Sequence, residues 1–423
     1  MTYEQTIEFL EKSHWMGSRL GLERVLELLH LLGDPQKKLK FVHVTGTNGK
    51  GSTCAMVESV LRSAGYKTGL YTSPHLRFYN ERIRINGQDI SDEEMCKAAD
   101  ILAECIEKMK DHPTVFERIT AMALLCFAMV ECDIVVLEVG LGGRLDATNV
   151  IDKPEVSVIG SIDLEHTNVL GNTITSIATE KAGIIKQGCP VVFYAQGEEA
   201  EAVIAAKCEE LGCRMVKTAP EAQILKDCGL WGQIFDYKDR KDIKISLPGT
   251  YQLLNAITAL EAVDVLKDSG WDIPEAAIYE GMANARWAAR FEVLREKPLV
   301  IIDGAHNPNG AAELAKCLQL YLPGKKLRCL MGVMADKDYR QMLGLVMPFM
   351  SCAVTVTPPS ERSLPAEELA KVISSEYGVP AKSAESVEEG LDMVTEGLED
   401  GDAVCIFGSL YQVGLVQEYF ENH

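Results

Sequence analysis

The apolar segment Lys40-Phe41-Val42-His43-Val44 runs directly into Thr45-Gly46-Thr47-Asn48-Gly49-Lys50-Gly51-Ser52-Thr53, and helical spacing then resumes through Val57, Val60 and Leu61 to Gly65. No other feature of the chain constrains its fold as strongly, because strand, glycine loop and helix in that order form the edge of a phosphate site. The glycines let successive backbone N–H groups turn toward one anion, the helix N-terminus adds partial positive charge, and Lys50 can reach the outer phosphates. The implied ligand is ATP or GTP; the plainer alternative is a glycine turn with no ligand. The match to the standard phosphate-loop pattern is incomplete: Val44 stands where the first glycine belongs and Gly51 where the magnesium-binding hydroxyl belongs. Magnesium then needs a hydroxyl from elsewhere. Ser73, in Tyr71-Thr72-Ser73-Pro74-His75-Leu76, is a nearby candidate, because it follows a predicted strand and ligands gather beyond the C-terminal ends of strands in open α/β sheets.

The rest of the chain extends this pattern. Strands are predicted at 68–71, 134–139, 156–159 and 191–194, and helices at 92–110, 117–131, 173–183 and 198–211. Such alternation predicts an α/β fold with a doubly wound, mostly parallel sheet. A helical preamble over residues 4–32, with breaks near Gly17 and Gly21, precedes it, and residues 221–249 read as a small antiparallel addition. Helices are expected at 251–267 and 274–282. After Arg290 a second series starts, with strands at 299–302, 327–331, 353–356 and 403–407 and helices between them, which predicts a second, smaller Rossmann-like α/β domain. With 423 residues the chain exceeds one ordinary hydrophobic core, so two domains are expected, 1–293 and 298–423, divided near Phe291 to Pro298.

Composition narrows the partners. The formal charge of -20 disfavours nucleic acid and anionic membrane as partners, and no apolar run reaches membrane-spanning length. The N-terminus lacks the features of a secretion signal, so a cytoplasmic protein is expected. The 13 cysteines contain no C-x-x-C pair and read as mostly buried free thiols.

Further candidates stand at strand ends. Glu138 leaves an apolar strand into the Gly-rich stretch 140–149, where a carboxylate is poorly placed for packing and well placed for a hard cation; the alternative is an acceptor of loop N–H bonds. His166, in Asp163-Leu164-Glu165-His166-Thr167, follows another strand and reads equally as a metal ligand or as a hydrogen-bonded histidine. Arg82 and Arg144 are candidate carboxylate clamps, since a guanidinium can hold a carboxylate through two parallel hydrogen bonds. Phe116 suits either a platform for a flat ring or a core position at a helix start. Glu180-Lys181 alone reads as a solvated helix pair, and Asp303 to Asn309 as a helix start capped by Asn307 or Asn309.

Together these stretches resemble the folylpolyglutamate synthase family, often bifunctional with dihydrofolate synthase in bacteria. The resemblance spans nearly the whole chain. It rests on Gly21 to Arg24, His43 to Ser52, Thr72 to Leu76, Phe116-Glu117, Thr120-Ala121, Leu137 to Asn149, Glu180 to Gly183, Asp303 to Pro308 and Gly408 to Tyr411. It implies ATP-dependent ligation of L-glutamate to the carboxylate of a folate or of dihydropteroate through an acyl phosphate, in a monomer. Two magnesium ions are implied, one on Ser73 and Glu138 and one on Glu138 and His166, together with carbamylation of Lys181. By the same resemblance, Gly46, Thr47, Asn48, Gly49, Lys50, Gly51, Ser52, Asn255, Arg290, Asp303 and His306 serve ATP, while Thr114, Phe116 and Asp146 serve the pterin substrate. The family usually has Pro-Gly before the arginine, where this chain has Ala288-Ala289. Muramyl-peptide ligases share the loop, but only 45 residues precede Gly46, too few for their extra N-terminal domain. A nucleotide switch without ligation would leave Glu138, His166 and the Asp303 to His306 segment without a task.

Overall fold

In the computed structural model, which describes residues 1–12 and 21–422, the continuous apolar runs become parallel strands and the amphipathic stretches between them become helices. The first sheet contains β1 (Phe41–Thr45), β2 (Thr68–Tyr71), β3 (Ile83–Ile85), β4 (Gln88–Asp89), β5 (Ile134–Glu138), β6 (Val156–Ile159), β7 (Val191–Phe193) and β8 (Met215–Lys217). Their order is β4-β3-β2-β5-β1-β6-β7-β8. Neighbours from β2 through β8 are parallel, and β3 and β4 add an antiparallel edge. Helices cover both faces of a parallel sheet, which is why β1, β5, β6 and β7 are buried at every residue.

Three consecutive strands, β9 (Gln223–Gly229), β10 (Gly232–Tyr237) and β11 (Arg240–Ile245), form a separate sheet in the order β11-β10-β9. Their two-residue connections can join only antiparallel neighbours. The last sheet contains β12 (Glu292–Arg295), β13 (Leu299–Ile302), β14 (Leu327–Met331), β15 (Met350–Thr355), β16 (Ala381–Ser383) and β17 (Ala403–Phe407), in the order β12-β13-β17-β14-β15-β16. It is parallel apart from β12, which pairs antiparallel with β13 in the stretch where the sequence suggests a domain boundary.

The chain divides into two compact units: Met1–Ile224 with Phe235–Lys244 and Leu253–Arg286, and Leu225–Ile234 with Ile245–Gln252 and Trp287–His423. Each has its own apolar core, built around residues such as Leu102, Phe127 and Leu137 in the first and Leu318, Cys329 and Phe407 in the second. The expected doubly wound α/β architecture is present in both. The sequence reading does not anticipate β3, β4, β8, β12 and β16, because strands of two to four residues at or near a sheet edge bury too little to show an apolar run. The thirteen cysteines are free and most are buried. Helical turns occupy Tyr3–Glu11 and Glu23–Leu31, while the break expected at Gly17 lies outside the described residues. Among the described residues no helix is long and apolar enough to cross a membrane.

Candidate active site

β2, β5, β1 and β6 are consecutive in the sheet, so the loops leaving their C-terminal ends lie side by side. These strand ends and the segments that follow them carry Ser73, Glu138, the Gly46–Ser52 stretch and residues 160–166. Such a cluster lies where a doubly wound sheet gathers its ligands.

The glycine loop is tied to the segment after β6. Thr47 Oγ1 accepts the Asp163 N–H at 3.0 Å, and the Asn48 N–H donates to Ser161 Oγ at 3.1 Å. Gly46 presses on the Gly160 backbone, where an added Cβ would come within 3.2 Å. Gly49 has φ +79° and caps helix Lys50–Ser63; a Cβ there would stand 2.1 Å from Asn255 Oδ1, so conformation and close approach both require glycine. Lys50 Nζ donates to the carbonyls of Gly46 at 3.0 Å and Thr47 at 3.1 Å, which holds the cation over the loop. Gly51 and Ser52 are buried in the helix's first turn.

Glu138 ends β5 and is buried, with Oε2 accepting the Ser73 N–H at 2.9 Å. One carboxylate and one hydroxyl at the sheet edge, close to a phosphate loop, are hard oxygen donors suited to magnesium. Magnesium is usually held by one or two carboxylates together with substrate phosphates rather than by an all-protein cage. Among the described residues no group of three or more His, Cys, Asp or Glu able to hold a metal occurs. His166 is the N-cap of helix Thr167–Leu170 with φ 49°, and its half-exposed ring lies 4.0 Å from Glu165.

Lys181 corrects the solvated-pair reading: only 3% of it is exposed, on the buried face of helix Ile174–Ala182. Burial, with the positive charge of Lys50 as the next cause, pushes its pKa down to about 7, while Glu165 and Asp163 act in the opposite direction. Its neighbour Glu180 remains more accessible and receives both Arg144 Nε (3.1 Å) and Nη2 (2.8 Å) on Oε1. Arg144, expected as a clamp for a substrate carboxylate, thus holds a carboxylate of the protein itself.

The 140–149 loop is shaped by close packing. A Cβ on Gly140 would lie 2.4 Å from the Phe116 ring. Thr114 caps the helix carrying that ring and forms a reciprocal capping box with Glu117. Phe116 therefore sits at a helix start, as one of the two sequence readings has it, and its ring packs against the Gly140 backbone. Asp146 is buried and accepts the N–H of Leu141 (2.8 Å), the N–H of Thr148 (3.0 Å) and the Thr148 hydroxyl (2.6 Å); burial raises its pKa against these bonds. Arg82 Nε donates to His75 Nδ1 at 2.9 Å, and burial followed by the charge of Arg82 pushes His75 down to about 4.

In the second unit Asp303 follows β13 and accepts the N–H groups of Phe291 and Ala305, each at 2.8 Å. Burial raises its pKa and Arg290 opposes the shift. A Cβ on Gly304 would lie 2.4 Å from Arg290 Nη1. Ala289 has φ 53°, so alanine here adopts the left-handed conformation that glycine takes without strain, at a cost of roughly 1 kcal/mol. His306 Nδ1 meets the Gly304 carbonyl at 2.8 Å, and Asn307, rather than Asn309, caps helix Pro308–Tyr321.

Sequence reasoning gives no role to two buried features beside these loops. His43 and Thr45, alternate residues on β1, reach Thr148 and the Gly142 carbonyl, and Arg24 forms a bidentate pair with Glu117. The available signal was the two-residue spacing on β1, which sends both side chains to one face.

Comparison with known proteins identifies the family. The Mur ligase middle domain pattern matches residues 44–263, and the Mur ligase glutamate ligase domain pattern matches residues 289–410. Folylpolyglutamate synthase of Lacticaseibacillus casei is 35% identical, covering 99% of this chain and 98% of its own. Dihydrofolate synthase/folylpolyglutamate synthase of Bacillus subtilis is 35% identical, covering 95% of each. Among solved structures, folylpolyglutamate synthase from Thermotoga maritima superposes with a TM-score of 0.88 at 34% identity, covering 99% of this chain and 96% of that one. Escherichia coli FolC in complex with DHPP and ADP gives 0.87 at 34% identity, covering 100% and 98%. The chain belongs to the folylpolyglutamate synthase/dihydrofolate synthase family of Mur-ligase-domain enzymes, which are ATP-dependent ligases.

Proposed function

We propose that this enzyme adds L-glutamate to the terminal carboxylate of tetrahydrofolate polyglutamates, and also to dihydropteroate to make dihydrofolate. A carboxylate is a poor electrophile at neutral pH, so the γ-phosphate of ATP is first transferred to it; the glutamate amine then attacks the acyl phosphate and phosphate leaves. The observation that carries this reading is the adjacency of Glu138 and Ser73 on the sheet edge that also bears the Lys50 loop. The L. casei relative is named for the folylpolyglutamate addition and the B. subtilis relative for both glutamate additions, and the E. coli relative is in complex with ADP and DHPP.

In this reading Gly46 to Ser52 bind the phosphates through backbone N–H groups, and Lys50 exchanges its two carbonyl partners for phosphate oxygens. Ser73 and Glu138 would hold one magnesium ion and Glu138 with His166 a second, and the ions would supply neutralisation of the charge on the transferring phosphoryl group. Asn255, Arg290, Asp303 and His306 serve ATP; Thr114, Phe116, Asp146 and Arg82 serve the pterin acceptor, with Arg144 bracing Glu180 beside them. The enzyme acts as a cytoplasmic monomer with a catalytic domain of residues 1–293 and a second domain of residues 298–423.

Lys181 is a carbamate in the working enzyme. An amine with a pKa near 7 is about half neutral at neutral pH, and the neutral form can add carbon dioxide; the anionic product replaces a cation beside Lys50 and the metal site. Carbon-13 bicarbonate is expected to give a carbamate signal in the wild type that Lys181→Ala lacks; equal signals in both proteins would refute the assignment.

The function is tested by measuring ADP release with each substrate omitted in turn. Release is expected to need ATP, L-glutamate and either dihydropteroate or tetrahydrofolate. Turnover that persists without glutamate, or without any pterin acceptor, would exclude a ligase of this specificity.

A further inference from the structure

β1 does more than deliver the chain to the phosphate loop. Its side chains alternate between faces, so His43 and Thr45 point the same way, and both engage the loop that follows β5. Thr45 Oγ1 donates to the Gly142 carbonyl at 2.7 Å near one end of that loop, and His43 Nε2 meets Thr148 Oγ1 at 3.0 Å near the other. Thr148 in turn bonds Asp146 twice, through its N–H at 3.0 Å and its hydroxyl at 2.6 Å. His43, Thr45 and Thr148 are fully buried, and Asp146 is 6% exposed.

This network determines the histidine tautomer. The Thr148 hydroxyl proton points to the carboxylate of Asp146, an acceptor, so Thr148 Oγ1 has only lone pairs to offer His43. The imidazole must then carry its proton on Nε2, leaving Nδ1 as a bare nitrogen. Nδ1 is buried with no hydrogen-bond partner, and burial holds the ring neutral, with its pKa pushed down to about 3 and Lys186 contributing. A histidine with one orphaned nitrogen in a strand interior contributes little as packing, where an aliphatic residue avoids the desolvation cost.

We propose that His43 is a positioning residue: through Thr148 it sets the orientation of the Asp146 carboxylate toward the pterin-type acceptor, while the strand it occupies sets the phosphate loop. The assignment of Asp146 to the acceptor rests on the function proposed above. The hydrogen-bond chain runs from His43 Nε2–H to Thr148 Oγ1 and from Thr148 Oγ1–H to Asp146 Oδ1. Without the first donor, the threonine hydroxyl keeps its bond to Asp146 but loses the second partner that helps fix its rotamer, so the carboxylate is held less rigidly.

The test compares His43→Leu, His43→Gln and Thr148→Val in the full chain. The glutamine amide can place a donor near the position of Nε2, whereas leucine removes it. His43→Leu and Thr148→Val are expected to raise KM for dihydropteroate or tetrahydrofolate about 10-fold, with KM for ATP unchanged within about 2-fold, and His43→Gln is expected to restore most of the loss. Equal effects of leucine and glutamine, or KM values for ATP and acceptor rising together, would reduce His43 to a packing residue. Nitrogen-15 NMR of the imidazole supplies a readout independent of substrate: the proton is expected on Nε2, and a proton on Nδ1 overturns the hydrogen-bond chain even if His43→Leu does not fold. If the NMR result holds but acceptor KM is unaffected in every variant that folds, the positioning proposal fails. If no pterin acceptor supports turnover in the wild type, the functional reading fails instead.

Discussion

Replacing Lys50 by alanine is expected to lower turnover about 100- to 1,000-fold while leaving the fold intact, the range seen when one preorganised electrostatic contact to a transition state is removed. Lys50 Nζ is held by the Gly46 and Thr47 carbonyls, so the cation stands over the loop before the nucleotide arrives. The protein around it carries a formal charge of -20, and ATP, glutamate and folate are all anions, so the local positive site has to act against the general field. A second consequence follows from the influence of Lys50 on Lys181. Lys50 is one of the causes that depress the Lys181 pKa, and its removal moves that amine back toward its ordinary range and disfavours carbamate formation. Steady-state ADP release and the carbon-13 carbamate signal should therefore both fall, with the melting temperature close to wild type. Wild-type turnover in Lys50→Ala would remove the phosphate role.

The phosphate loop could be read from sequence because its residues are contiguous and their spacing is itself the chemistry. β5, β6, β13, β14 and β17 were legible for a related reason: strands buried on both faces leave continuous apolar runs. Edge strands such as β4 and β16 carry exposed, polar residues, and nothing in their composition separates them from loop. Burial of a single helical residue is equally opaque, as Lys181 shows: its helix has a polar neighbour at 180, and only the covering segments reveal which of the two faces inward. Pairings across long sequence separations were also hidden. Arg144 could be recognised as a guanidinium suited to a carboxylate, but its partner Glu180 is 36 residues away. The link from His43 to Thr148 spans 105 residues and depends on the register of β1 beside β5.

The largest loss of stability is expected from Arg24→Met. Arg24 Nε and Nη2 donate to Glu117 at 3.1 and 2.9 Å, and the two side chains are only 7% and 3% exposed. Glu117 also accepts the Thr114 N–H at 2.7 Å, so one carboxylate receives the arginine and caps the helix that carries Phe116. Methionine roughly preserves the aliphatic volume and removes the charge, leaving the carboxylate buried with its backbone bond. Breaking a buried pair from one side costs ~3–5 kcal/mol, because the remaining charge is uncompensated. The double replacement Arg24→Met with Glu117→Gln removes both charges and keeps a side-chain acceptor for Thr114, so it should recover much of the loss. Urea unfolding of the three proteins tests the argument; a deficit in Arg24→Met below about 1 kcal/mol would show that the pair is not what fixes this helix start. Because the same helix start carries Thr114 and Phe116, acceptor KM should rise in Arg24→Met even where enough protein remains folded to assay.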